Sequence, residues 1–130
     1  MPMPTHLASL MPPPLLARRA PALMLAEGVG IARGRVHELC GTARRTLALM
    51  LAGRLEGSVL WIAPEAGGRA LNPAGMRGLL APERLILAAA VPDREVLWCM
   101  EEALRSGAVA MVVAELAAPP GLTPMRRLQL

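Results

Sequence analysis

Three short stretches of this chain are almost continuously apolar: Ser58 to Ala63 (SVLWIA), Arg84 to Ala89 (RLILAA) and Ala108 to Ala114 (AVAMVVA). A strand that is apolar on both faces must be covered on both faces, the condition met in a parallel sheet flanked by helices. Arg35 to Cys40 (RVHELC) is a shorter, half-alternating fourth candidate. Between these runs the period changes to that of a helix. Strands alternating with helices form right-handed crossovers, so the expected fold is α/β, a parallel sheet of about four strands with flanking helices.

The intervening helices are individually legible. In Thr42 to Leu55, Leu47, Leu51 and Leu55 recur every four residues beside Ala48 and Ala52, leaving Arg44, Arg45 and Arg54 for the outer face. Asn72 followed by Pro73 is a good start for a short helix to Leu80. Asp93 to Ser106 carries a stripe of Val96, Leu97, Met100, Ala103 and Leu104, places Glu101, Glu102 and Arg105 away from it, and stops at Gly107. Thr123 and Pro124 open a last helix expected to run to the end of the chain. Residues 1–26, rich in Pro, Ala, Leu and Met, have no sustained period. They read as a flexible lead-in with one helical turn at Leu15 to Ala20, ahead of an α/β domain over 27–130.

Composition narrows the function. Apolar residues make up 54% of the 130 and charged residues 18%, enough for one packed core and too apolar for wholesale disorder. No apolar run is long enough to cross a bilayer. Four prolines within the first thirteen residues, with no basic residue before Arg18, do not make a secretory leader, so a cytoplasmic location is expected. Trp61 and Trp98 are the only aromatic residues, which leaves the core to Leu, Ala, Val and Met. All fourteen basic residues are arginine, but the net charge is only +4 and the arginines are scattered, so direct DNA binding is not expected. Cys40 and Cys99 have no CxxC spacing and no histidine at metal-ligand distance; both read as reduced, buried thiols, and no metal site is expected.

In a parallel sheet the ligand side is the carboxyl end of the strands. Here those ends are Cys40 to Thr46, Pro64 to Gly68, Ala90 to Pro92 and Glu115. A strand, Gly41 and then Arg45-Thr46 opening a helix is where a phosphate-binding loop would lie. Such a loop needs glycines so that backbone amides converge, a lysine for the terminal phosphates and a hydroxyl for magnesium. With Thr46 as the hydroxyl, Arg45 takes the lysine position and Arg44 that of the second glycine. A branched guanidinium and a lost glycine argue against tight nucleotide binding. Glu65 stands where a water-activating base would sit, and Glu115 where a carboxylate would hold magnesium through water. His37 reads as a core or edge residue, and Trp98 and Met100 as packing.

Several runs resemble RecA-type recombinases. GRVHELCG (Gly34 to Gly41) is similar to the strand entering their phosphate loop. VLWIAPEAGGRALNP (Val59 to Pro73) is similar to the next strand and its following Glu, and ALRSGAVAMVVAEL (Ala103 to Leu116) to the turn and the Walker B strand. Within that superfamily, VLWCMEEALRSGAVAMVVAEL with RRLQL resembles most closely the ImuA proteins of damage-inducible mutagenesis cassettes. The resemblance implies a RecA-like non-catalytic adaptor in SOS-induced, error-prone translesion DNA synthesis. Its partners would be a Y-family polymerase-like protein of the same cassette and RecA, with no cofactor of its own. It places Arg45 and Thr46 at the phosphate-loop Lys and Thr, Glu65 at the recombinase's catalytic Glu and Glu115 at the Walker B Asp. Alternatives within the superfamily are a divergent ATP-binding, magnesium-dependent ATPase using Arg45 for Lys, and a cell-division inhibitor of the SulA type.

In RecA-like sheets a further strand inserts between the phosphate-loop strand and the Walker B strand, and this chain reads as ending before it, a C-terminally truncated core. Either the first and fourth strands pair directly, or an open edge remains for a partner, for homo-oligomerisation or for the N-terminal segment to cover.

Overall fold

The computed structural model describes residues 21–64, 71–90 and 92–129. The chain divides after Gly34 into two units.

In the first unit, β1 (Ala22–Ala26) and β2 (Val29–Ala32) form an antiparallel hairpin with Leu23 opposite Ile31 and Met24 opposite Gly30. The turn is Glu27-Gly28, and Gly28 has φ +71°, a conformation glycine adopts without steric cost. Ala22–Ala26 were expected within the lead-in. Their strand depends on a partner across the turn, and Leu23 to Leu25 alone have too little alternation to announce it. The helical turn expected at Leu15 to Ala20 lies outside the described residues.

The second unit, Arg35–Leu130, contains a three-stranded parallel sheet. Its strands are β3 (Val59–Ala63), β4 (Leu85–Ala89) and β5 (Met111–Ala114), in the order β4, β3, β5. Trp61 is in register with Leu87 on one side and Val113 on the other. The helices are α1 (Arg44–Gly53), α2 (Pro73–Met76), α3 (Asp93–Ser106) and α4 (Leu122–Arg127). The architecture is thus mixed α/β with a parallel sheet and flanking helices.

The expected fourth strand is corrected: Arg35 to Cys40 form no strand, and their direct pairing with β5 does not occur. A strand is stabilised by its ladder, and a half-alternating run without a hydrogen-bonded neighbour cannot hold one. Leu39 still packs on the core.

That core is built around the central strand. Ala48, Leu49 and Ala52 of α1 meet Val59 and Trp61 of β3, Met76 of α2 and Leu80. Full burial of a side chain such as Val59 stabilises the fold by about 1.5–3 kcal/mol. By strand alternation Ile62 faces the other side, where it is also fully buried, so β3 is covered on both faces as its composition demands. The edge strand β4 is covered less well, and Ile86 and Leu87 are exposed.

Helix α3 has its expected limits, with Gly107 in the left-handed conformation at φ +64° closing it. Asn72 caps α2 by accepting a hydrogen bond from the Ala74 amide at 3.1 Å. Two expectations are corrected. Helix α4 starts after Gly121 rather than at Thr123, and it ends at Arg127. Glu101 is buried at 4% exposure instead of facing solvent. Its carboxylate pairs with Arg105 at 2.6 Å and with Arg127 of α4 at 2.9 Å. Two cations and a second helix compensate the desolvation that would otherwise keep a carboxylate outside.

Candidate functional site

The carboxyl ends of β3 and β5 converge with the start of α1. Gly41, at φ +97°, turns the chain into that helix, and its carbonyl accepts a hydrogen bond from Arg44 Nη1 at 2.9 Å. Helix α1 begins with no side-chain cap and no acidic residue in its first turn. It opens instead on two arginines, an unfavourable placement beside the positive end of the helix dipole.

A residue from the far end of the sheet compensates one of them. Glu115 follows β5 directly, and its amide donates to the Ile62 carbonyl at 2.9 Å, which carries the ladder one residue past the strand. Its carboxylate meets the Arg45 guanidinium in a two-pronged pair, Nε to Oε1 at 2.6 Å and Nη2 to Oε2 at 2.7 Å. Trp61 Nε1 donates to the same Oε1 at 3.1 Å. The pair is semi-enclosed, the two side chains being 29% and 19% exposed. These hydrogen bonds hold the Arg45 guanidinium above its ordinary pKa; burial pulls the other way and is outweighed, and the carboxylate's charge adds to the rise.

The candidate residues separate accordingly. Arg45 and Glu115 come together, while Arg44 and Gly41 share the preceding turn. Thr46 is exposed on α1. Glu65 lies outside the described residues. Cys40 is exposed and Cys99 half-buried, which corrects the expectation that both thiols are interior. Among the described residues, no three His, Cys, Asp or Glu side chains gather as a metal site would require, and no helix is long and apolar enough to cross a membrane.

Trp61 is the member of this cluster that sequence reasoning missed. The available signal was a tryptophan inside a strand apolar on both faces, since a buried indole N–H requires an acceptor and few lie within reach.

The chemistry open to the arrangement follows from its pairing. A guanidinium that binds a phosphate must offer its N–H groups, and a carboxylate that binds magnesium must offer its lone pairs. Here the Nε and Nη2 donors of Arg45 are engaged by Glu115, and the indole takes a further lone pair of Oε1. The cluster joins α1, β3 and β5.

Comparisons with protein-family models, curated proteins and solved structures gave no match.

Proposed function

We propose that this chain is a RecA-like, non-catalytic adaptor of SOS-induced translesion DNA synthesis. It acts by contacts with a Y-family polymerase-like protein and RecA. The observation that carries the non-catalytic part is the fork between Arg45 and Glu115. Under the resemblance to RecA-type recombinases, these two residues occupy the phosphate-binding lysine and magnesium-binding aspartate positions. Their mutual pairing works against nucleotide binding by both. Opening the fork for ATP would expose a partly buried carboxylate and leave the Trp61 N–H without its acceptor, costs that a phosphate contact must first offset.

The parallel order β4, β3, β5 supports the α/β scaffold the reading needs, and the identity of the partners rests on the sequence resemblance. Titration with a fluorescent ATP analogue and magnesium tests the first element. The expected result is no saturation up to about 1 mM, a dissociation constant equivalent to roughly −4 kcal/mol. Micromolar binding would favour the divergent ATPase instead. Pull-down with the polymerase-like protein and RecA tests the second, and association with neither overturns it.

A further inference from the structure

Helices α3 and α4 enclose a groove on a face that the Arg45 and Glu115 cluster does not use. It is lined by Leu97, Pro124 and Leu128 with Trp98 beside them, and Arg94, Glu101 and Arg127 supply its charges. At about 180 Å³ it is smaller than the cavities of roughly 300–1,000 Å³ that hold cofactors and small-molecule ligands. It has the size to take one or two side chains. Trp98 is 60% exposed although it belongs to the best-formed helix of the chain. A large aromatic ring left in water beside an aliphatic floor is the usual anchor of a protein contact.

The charges decide the occupant. Residues 94, 97, 98, 101 and 105 follow one another at helical spacing on α3 and so share one face. Three arginines, Arg94, Arg105 and Arg127, accompany two carboxylates, Glu101 and Glu102, the latter 3.5 Å from Arg105, which leaves one positive charge in excess. Arg105 and Arg127 are both engaged by Glu101, at 2.6 and 2.9 Å. Among the described residues, Arg94 is the arginine of this face outside those ion pairs, and it remains to meet a ligand charge. That cation beside an aliphatic floor fits a carboxylate next to an aliphatic side chain. A run of phosphates needs several such cations along its length, and this groove offers it Arg94 alone outside the ion pairs among the described residues.

We infer that this groove docks a segment of a partner protein in which an aliphatic or aromatic anchor lies within a helical turn of an Asp or Glu. The anchor packs on Trp98 and Leu128, and the carboxylate pairs with Arg94. The inference rests on the reading of the chain as a binding module, and it names the surface and the chemistry of what that surface holds.

Panning the full chain against a library of random peptides of about 12 residues tests it. The expected peptides place Asp or Glu within four positions of Leu, Ile or Phe. For a synthetic consensus peptide, Trp98→Ala is expected to weaken binding about tenfold or more, and Arg94→Glu about fivefold. A peptide with its carboxylates changed to Lys should regain affinity for Arg94→Glu. Both positions are exposed, and circular dichroism of each variant verifies that its fold is intact. Basic or carboxylate-free peptides, binding indifferent to Trp98→Ala, or no enrichment would each overturn the inference. So would Trp98-dependent binding of an oligothymidylate with a steep salt dependence. The pull-down reports separately on the adaptor reading: peptide recognition without association with the polymerase-like protein or RecA supports the groove and sinks that reading alone.

Discussion

Arg45 and Glu115, 70 residues apart in sequence, are joined by two hydrogen bonds of 2.6 and 2.7 Å at the carboxyl edge of the sheet. One stands at the start of α1 and the other immediately after β5. The pair therefore ties the helix that precedes the sheet to the last strand, and Trp61 of the central strand is bonded to the same carboxylate.

A double-mutant cycle with Arg45→Met and Glu115→Gln measures this tie. A coupling energy of about 1–3 kcal/mol is expected in urea denaturation. Glu115→Ala should cost more than Glu115→Gln, because the amide oxygen of Gln still accepts from the buried Trp61 N–H and Ala leaves it unpaired. Equal losses for the two substitutions would show that the indole is satisfied elsewhere.

The Arg45 guanidinium is held above its ordinary pKa by the hydrogen bonds to Glu115. A cation held above its unfolded value contributes stability that is complete below the unfolded pKa and lost only as pH rises through the folded one. For arginine both values lie beyond the working range, so the contribution of the pair should stay constant from neutrality to about pH 11. Arg45→Lys brings the loss into reach. Its stability relative to the unsubstituted chain should fall as pH rises through about 10–11, and a constant difference across that window would count against the pairing.

Arg84 holds the carboxyl end of α1 from outside the helix. Its Nε donates to the Gly57 carbonyl at 2.7 Å and its Nη2 to the Ala52 carbonyl at 3.3 Å. Helix α1 has no basic residue in its own last turn, and this guanidinium supplies a positive charge at the negative end of its dipole, where Arg54 is the C-cap residue. Arg84→Met, which keeps the aliphatic stem, should destabilise the chain by about 1–2 kcal/mol in a denaturant titration.

Gly53 closes α1 where the backbone passes close to a neighbour. A Cβ at this position would run into the Leu79 carbonyl oxygen, a backbone atom that cannot swing away. Helix propensity alone makes Gly53→Ala stabilising by up to about 1 kcal/mol. The close approach reverses the sign, and a net loss of about 1–3 kcal/mol is expected from thermal or urea unfolding.

The sequence alone determined the elements whose signal is local. The apolar runs of β3, β4 and β5, the period and glycine stop of α3, and the Asn72-Pro73 start of α2 each lie within one segment, and short-range sterics and hydrophobic period suffice to write them. Tertiary structure decided everything that depends on a distant partner. Arg35 to Cys40 lost their strand for want of a ladder neighbour, and Ala22–Ala26 gained one across the Gly28 turn. Glu101 became interior because α4 delivered Arg127 to it. Arg45, read from its spacing as a replaced lysine, turned out to be held by Glu115 and, through that carboxylate, linked to Trp61. The physical reason is the same in each case: burial of a polar group depends on what the fold brings beside it, and a one-dimensional pattern records the group without its neighbour.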